Sequence, residues 1–244
     1  MINLHHKRSK HGFIKSGRIK LMITINRILV FYISFFITIA QSSFASGNRA
    51  QVEGSDRAIS REINVGAFDK VITSITGFVN LHIAPEYRVT ILCDDNLIQY
   101  VDIQVNNGEL KIDTKNRRRN RFRNLVIDVY APNINTVSLT GTGTTKGAVE
   151  CEDFTSHLTG TGTIEIIGIA KTATIMITGT GSFLGRDFKI NEAKVFMTGT
   201  GLVEIWAIDR IDGNLTGTGT IRYDGRPQIS YSGTGTGRIE PIDK

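Results

Sequence analysis

His157-Leu158-Thr159-Gly160-Thr161-Gly162-Thr163-Ile164-Glu165-Ile166 contains one of six copies of a short phrase, [Thr/Ser]-Gly-Thr-Gly. The copies begin at Thr140, Thr159, Thr178, Thr198, Thr216 and Ser232, at intervals of 19, 19, 20, 18 and 16 residues. A period near 20 marks a chain that stacks one small unit on itself, because a single unit cannot bury its own apolar face. Extended backbone puts Leu158, Gly160, Gly162, Ile164 and Ile166 on one face, with His157, Thr159, Thr161, Thr163 and Glu165 on the other. The apolar set is expected inside, its glycines letting a neighbouring wall come close, and the threonines outside as a hydroxyl ladder. Units around Ile177–Phe183, Met197–Val203 and Leu215–Ile221 keep this phase, although Leu202 interrupts the polar set.

Such a unit is too brief for a propeller blade, which takes about 40 residues. It also lacks the crossover helix of a βαβ unit. The reading is therefore all-β: a parallel β-helix or β-solenoid of 16–20-residue coils over residues 134–244. Upstream, short β-rich runs such as Val71-Ile75, Val79-Ile83, Arg88-Leu92 and Leu125-Tyr130 are bounded by turn formers, among them Asn106-Asn107-Gly108 and Ala131-Pro132-Asn133. A single helical turn is expected near Asn96–Tyr100. Residues 63–133 read as an irregular β cap region covering the open end of the stack, where an uncovered coil would invite edge pairing. Together, 63–244 form one domain. Residues 46–62 are polar and without apolar period, and read as a linker.

The first 45 residues differ from the rest. A basic leader ends at Arg27, Ile28 to Ala40 is an uncharged apolar run of 13 residues, and Ser43-Phe44-Ala45 supplies the small residues of a cleavage site. That order describes a secretory signal peptide, and the apolar run is short of the roughly 20 residues a membrane span needs. Seven of the 29 basic residues and none of the 23 acidic ones lie in this leader, which leaves a net charge of −1 downstream. The basic balance of the whole chain thus belongs to the leader and gives no reason to expect a nucleic-acid partner. Cys93 and Cys151, both in strand-like runs, suit either a disulfide or two independent buried thiols.

Lys115, Arg117, Arg118, Arg119, Arg121 and Arg123 put six positive charges within nine residues between two predicted strands. This is a solvated loop that could contact lipopolysaccharide phosphate, acidic glycan or another anionic surface. Phe122, its one aromatic, is too little for a base-stacking platform. The Gly-rich phrases lack the Gly-Lys-[Ser/Thr] ending of a phosphate loop. His82 and His157 have no Cys or His at ligand spacing, and no Gly-x-Ser-x-Gly elbow occurs. No cofactor or metal is expected. Acidic groups at Asp94-Asp95, Glu150 with Glu152 and Asp153, and Asp209 with Asp212 leave a β-helix carbohydrate-active enzyme as an alternative, if two of them share a cleft. Stacked threonines also leave an ice-binding lattice as a more remote one.

Phe68-Asp69-Lys70-Val71, Thr76-Gly77-Phe78-Val79-Asn80-Leu81, Asn96-Leu97-Ile98 with Asn107-Gly108-Glu109-Leu110-Lys111-Ile112, Tyr130-Ala131-Pro132 and the Gly-Thr-Gly phrases occur in this order. The series resembles the auto-transporter adhesin head GIN domains of secreted bacterial proteins, over about residues 63–240. The resemblance implies a β-helix-like fold at or near the cell surface, without established catalytic residues. The functional expectation is a secreted, non-enzymatic cell-envelope module with no membrane span in its mature part, lying in the periplasm, on the outer membrane or outside the cell. It would meet glycan, lipopolysaccharide or a surface protein through an exposed face of Thr142, Thr161, Thr180, Thr200, Thr218 and Thr234 and through its loops.

Overall fold

Each Thr-Gly-Thr-Gly phrase is a corner, and the strand bends there instead of running straight through. The computed structural model describes residues 51–116 and 120–242. The signal peptide reading at 1–45 and Arg117, Arg118 and Arg119 lie outside the described residues. In chain order the strands are β1 (Val52–Glu53), β2 (Ala58–Asn64), β3 (Lys70–Ser74), β4 (Phe78–Ile83), β5 (Arg88–Asp94), β6 (Val101–Asn106), β7 (Glu109–Thr114), β8 (Asn120–Arg121) and β9 (Val126–Ala131). They continue as β10 (Thr136–Gly141), β11 (Thr144–Gly160), β12 (Thr163–Gly179), β13 (Ser182–Gly199), β14 (Leu202–Gly217), β15 (Thr220–Gly225), β16 (Gln228–Gly235) and β17 (Arg238–Pro241). The helical turn expected near Asn96–Tyr100 is a 3-10 turn at Ile98–Tyr100.

From β10 onward the chain winds as a parallel β-solenoid of about six turns. Equivalent residues sit in register one above another, so the interior is a set of vertical apolar columns. One runs Ile127, Val79, Thr145, Ile164, Phe183, Val203, Ile221, with every member at most 1% exposed. Thr145 is the polar member, and its hydroxyl lies 3.4 Å from that of Thr73, which donates to the Ser138 carbonyl at 3.1 Å. A pair of buried hydroxyls that share a proton and reach a carbonyl avoids most of the penalty of an unpaired polar group.

The two glycines of the phrase have different tasks. Gly160 has φ of +119°, and a Cβ there would lie 2.6 Å from the Gly141 carbonyl oxygen of the coil below. Gly162 faces inward, where a Cβ would meet the Gly143 oxygen and the Leu139 side chain, both at 2.7 Å. The expected interior placement therefore holds for Gly162, whereas Gly160 is needed to turn the corner. With no Cβ in the way, Thr161 N–H donates to Gly141 O and Thr163 N–H to Gly143 O, each at 3.0 Å, and the ladder passes unbroken through the bend.

The upstream region departs from expectation in its layering. β3 lies between β7 and β10, and β4 between β9 and β11, all parallel. The chain thus lays the second rung first, drops to form the outermost rung from β7 and β9, and returns over the top. Asn135 N–H donates to Asp69 O at 2.9 Å, and Asn135 Nδ2 to Asp69 Oδ2 at 2.7 Å, which ties the return to the start of β3. Only part of residues 63–133 is cap: β6 runs antiparallel on β7, β5 antiparallel on β9, and β2 antiparallel on β5. Residues 46–62, read as linker, contain β1 and most of β2. β2 shows no apolar period because it is the outermost strand and nearly all of its residues are exposed.

Gly179 repeats the geometry of Gly160, with φ of +121° and a Cβ position 2.5 Å from Gly160 O. Gly179→Ala is expected to destabilise the domain by about 2–3 kcal/mol in urea unfolding. Thr180→Ala, on the exposed next position, should stay within about 0.5 kcal/mol.

Candidate functional site

The corners stack the phrase threonines into two outer columns. Thr140, Thr159, Thr178, Thr198, Thr216 and Thr234 are in strand register. Thr142, Thr161, Thr180, Thr200 and Thr218 form the second column and are exposed, with Thr161, Thr180, Thr200 and Thr218 held by N–H bonds of 2.9–3.0 Å to the corner glycine below. Thr234 belongs to the first column, which corrects its expected place in the second. The last phrase is Thr234-Gly235-Thr236-Gly237, and Thr236 N–H donates to Gly217 O at 2.9 Å as Thr218 does to Gly199 O. Ser232 is two residues too early because the chain contains an extra Gly-Thr step, and only pairing with β14 selects the register. The second column begins lower than the phrases do, at Thr76, whose hydroxyl is 3.2 Å from that of Thr142.

The described residues of the basic stretch, 115–116 and 120–123, lie at the corner of the outermost rung, between β7 and β9, where later coils have Thr-Gly-Thr-Gly. Its ends are fixed: Asn120 Nδ2 donates to Lys115 O at 3.0 Å, and Phe78 N–H to Leu125 O at 2.9 Å. Arg121 and Arg123 both reach Glu53 on β1, at 3.5 and 2.6 Å, while Lys115 pairs with Asp102 at 3.4 Å. All three described cations therefore have carboxylate partners, and the field of this loop is weaker than its composition suggests. These exposed pairs are each worth little in stability.

The two expected sites meet. A hollow of about 300 Å³ is lined by Thr76, Thr140 and Thr142 on the corner side and by Asn120, Arg121 and Phe122 on the loop side. Nothing in the sequence brings residue 76 beside 142 and both beside 121, since that contact depends on the out-of-order rungs. A second, more open hollow of about 650 Å³ on another wall holds Glu150, Glu152, Ile169, Lys189 and Ile208. Lys189 lies 4.4 Å over the Trp206 ring, and Glu152 is 3.7 Å from Lys171. Of the other acids, Asp95 accepts from Ser55 at 2.5 Å and from Arg57, contacts that hold its carboxyl below the usual range, Ser55 contributing most. Asp212 pairs with Arg210 at 2.7 Å.

One cluster was missed. Parallel pairing of β4 and β9 sets Asn80 beside Asp128 and His82 beside Tyr130. Asp128 Oδ1 takes Asn80 Nδ2 at 2.9 Å and lies 3.0 Å from His82 Nε2, and Tyr130 is sandwiched between the His82 ring at 4.7 Å and Arg88 at 4.0 Å. The outward alternation of residues 80 and 82 against 128 and 130 was the available signal. Among the described residues, no three His, Cys, Asp or Glu side chains are gathered as a metal site, and no helix is long and apolar enough to cross a membrane.

A family model described as "Putative auto-transporter adhesin, head GIN domain" matches residues 67–227. Among solved structures, a putative adhesin from Bacteroides fragilis aligns with a TM-score of 0.66 at 21% identity, covering 78% of this chain and all of that one. A putative lipid binding protein from Parabacteroides distasonis aligns with a TM-score of 0.50 at 22% identity, covering 79% of this chain and all of its own. At these identities the likeness is one of fold. No curated protein matches the chain.

Cys93 and Cys151 are both free thiols. Desolvation, helped by Asp94 for Cys93 and by Asp153 and Glu152 for Cys151, pushes each up to about 11. At pH 8 such a thiol is thiolate to roughly 0.1%. Two free thiols per chain are expected by mass spectrometry after alkylation in urea without reductant. In the native state both should react with a disulfide reagent at pH 8 at least about tenfold more slowly than in urea.

Proposed function

The chain belongs to the auto-transporter adhesin head GIN domain family, and from that premise we propose that it is an exported, non-enzymatic interaction module of the cell envelope. Its ligand is an anionic glycan, bound at the hollow where the threonine corners meet the loop. The observation that carries this reading is the lining of that hollow: Thr76, Thr140 and Thr142 line one recess together with Arg121 and Phe122. Hydroxyls and a guanidinium suit the hydroxyl, carboxylate and sulfate groups of a sugar, and an aromatic ring suits its apolar face. Parallel rungs hold the threonines at the fixed strand spacing of about 4.8 Å, so little ordering remains for binding to supply. Arg117, Arg118 and Arg119 stand between Lys115 and Arg121 in the sequence and add three formal positive charges for long-range attraction.

The enzymatic alternative rests on Glu150 and Glu152, which share the larger hollow. The two readings separate in one experiment, binding to a sulfated glycan such as heparin and to lipopolysaccharide, run beside a hydrolysis assay on the same ligands. Binding without turnover is expected. Arg121→Glu with Phe122→Ala should weaken binding at least about tenfold in a chain that is still folded at the assay temperature, with some loss of stability because Phe122 packs against the core, while Thr200→Lys, three coils beyond the hollow's edge, should leave binding unchanged. Product release that disappears in Glu150→Gln would replace the binding reading with catalysis. Unchanged affinity in the Arg121/Phe122 variant would remove the hollow from the account.

A further inference from the structure

The two ends of the solenoid are finished differently. At one end β6 and β5 cover the outermost rung antiparallel to it, and β2 pairs antiparallel on β5. At the other, β16 pairs only with β14 and β17 only with β15, so among the described residues no strand lies on their outer edges. Ile229 and Tyr231 stand directly over Ile211 and Gly213 in the interior phase, yet they are 43% and 46% exposed, with no strand over them among the described residues. β16 reads Gln-Ile-Ser-Tyr-Ser-Gly-Thr-Gly, eight residues with neither charge nor proline. Soluble proteins normally blunt such an edge with those residues.

We propose that this end is the interface of a homodimer, in which a second copy of the chain stacks on β16 and β17 about a two-fold axis. A two-fold perpendicular to the solenoid makes like strands antiparallel, and both strands are self-complementary in that arrangement. Centred on Tyr231, β16 sets Tyr231 against its own copy and Ile229 against Gly233, a large side chain over an empty position on each side. Centred on Ile239, β17 sets Arg238 against Glu240 twice; the two already pair at 2.7 Å within the chain, and the arrangement brings opposite rather than like charges together across the axis. One axis serves both centres. Ile239 reaches across the interior to Gly213, where a Cβ would lie 2.6 Å from Ile239 Cδ1, and Gly213 lies directly beneath Tyr231. Tyr231 also donates its hydroxyl to Gly237 O at 3.0 Å, next to the start of β17. The line from Tyr231 to Ile239 therefore crosses the open end, and a two-fold along it passes through the centres of both strands. Such a contact is isologous and closes on itself. The covered opposite end then stops growth at two copies.

Sedimentation velocity on the purified exported chain is expected to give a dimer. Tyr231→Lys puts two like charges at the axis and should halve the observed mass, leaving the circular dichroism spectrum intact because residue 231 is already half exposed. Register is read separately by cysteine substitution: Tyr231→Cys faces its own copy and should cross-link under mild oxidation, whereas Ser230→Cys faces Ser232 of the other copy and should not. This second pair decides the matter even if Tyr231→Lys folds poorly. A monomer at all concentrations, a dimer indifferent to Tyr231→Lys, filaments of indefinite length, or cross-linking of Ser230→Cys in place of Tyr231→Cys would each overturn the proposal.

Discussion

Everything in this molecule depends on backbone hydrogen bonds that continue around a corner. A flat parallel strand pair needs no special residues, but a coil must bend and still present its N–H groups to the carbonyls of the coil below. At Thr161 and Thr163 it does so with bonds of 3.0 Å to Gly141 and Gly143. The bend demands a positive φ at Gly160, and the short vertical spacing leaves no room for a Cβ at either glycine. Glycine costs conformational entropy wherever it is used, so its repetition marks a place where any side chain would break the ladder. The threonines between the glycines are free to point outward because the backbone alone makes the corner.

That division explains what could be read from the chain. The period and the phase both follow from the corner, so the solenoid, the buried Leu158 and Ile164 and the exposed Thr161 were legible in the phrase itself. Registration at the last coil was not, since Ser232-Gly-Thr-Gly and Thr234-Gly-Thr-Gly are chemically equivalent and only eight consecutive pairings with β14 choose between them. The order of the early rungs was also hidden. β3 and β7 carry similar apolar alternation, and nothing local says that the later strand lies beneath the earlier one. Most of β2 reads as linker in the sequence because an outermost strand has no buried face to print a pattern.

The candidate site lies where these two kinds of information meet. Thr142 is placed by the repeat, Arg121 and Phe122 by a connector that replaces a repeat corner, and Thr76 by a rung laid out of sequence. The interior columns set these distances, and the irregular elements supply the chemistry. A regular wall offers every coil the same hydroxyls and so distinguishes one position from another poorly. The hollow beside β8 differs from the rest of the wall because one corner was exchanged for a basic loop, and the acidic residue on β1 restrains that loop through Arg121 and Arg123.

The same reasoning bears on the ends of the stack. A solenoid has no intrinsic stop, since each coil creates an edge identical to the one it covered. Termination must be built from something that is not a coil. Antiparallel strands do this at the β7–β9 rung: β6 and β5 reverse direction and no longer offer a parallel template, and β2 lies outside β5 as a mostly exposed strand. β17 carries Arg238, Glu240 and Pro241, the residues that usually discourage pairing. β16 carries none of them, although it is the longer of the two and leaves Ile229 and Tyr231 uncovered. Charge on β17 then acts to select a partner strand by its register, while the uncharged β16 provides the contact, and a copy of the same chain satisfies both conditions at once.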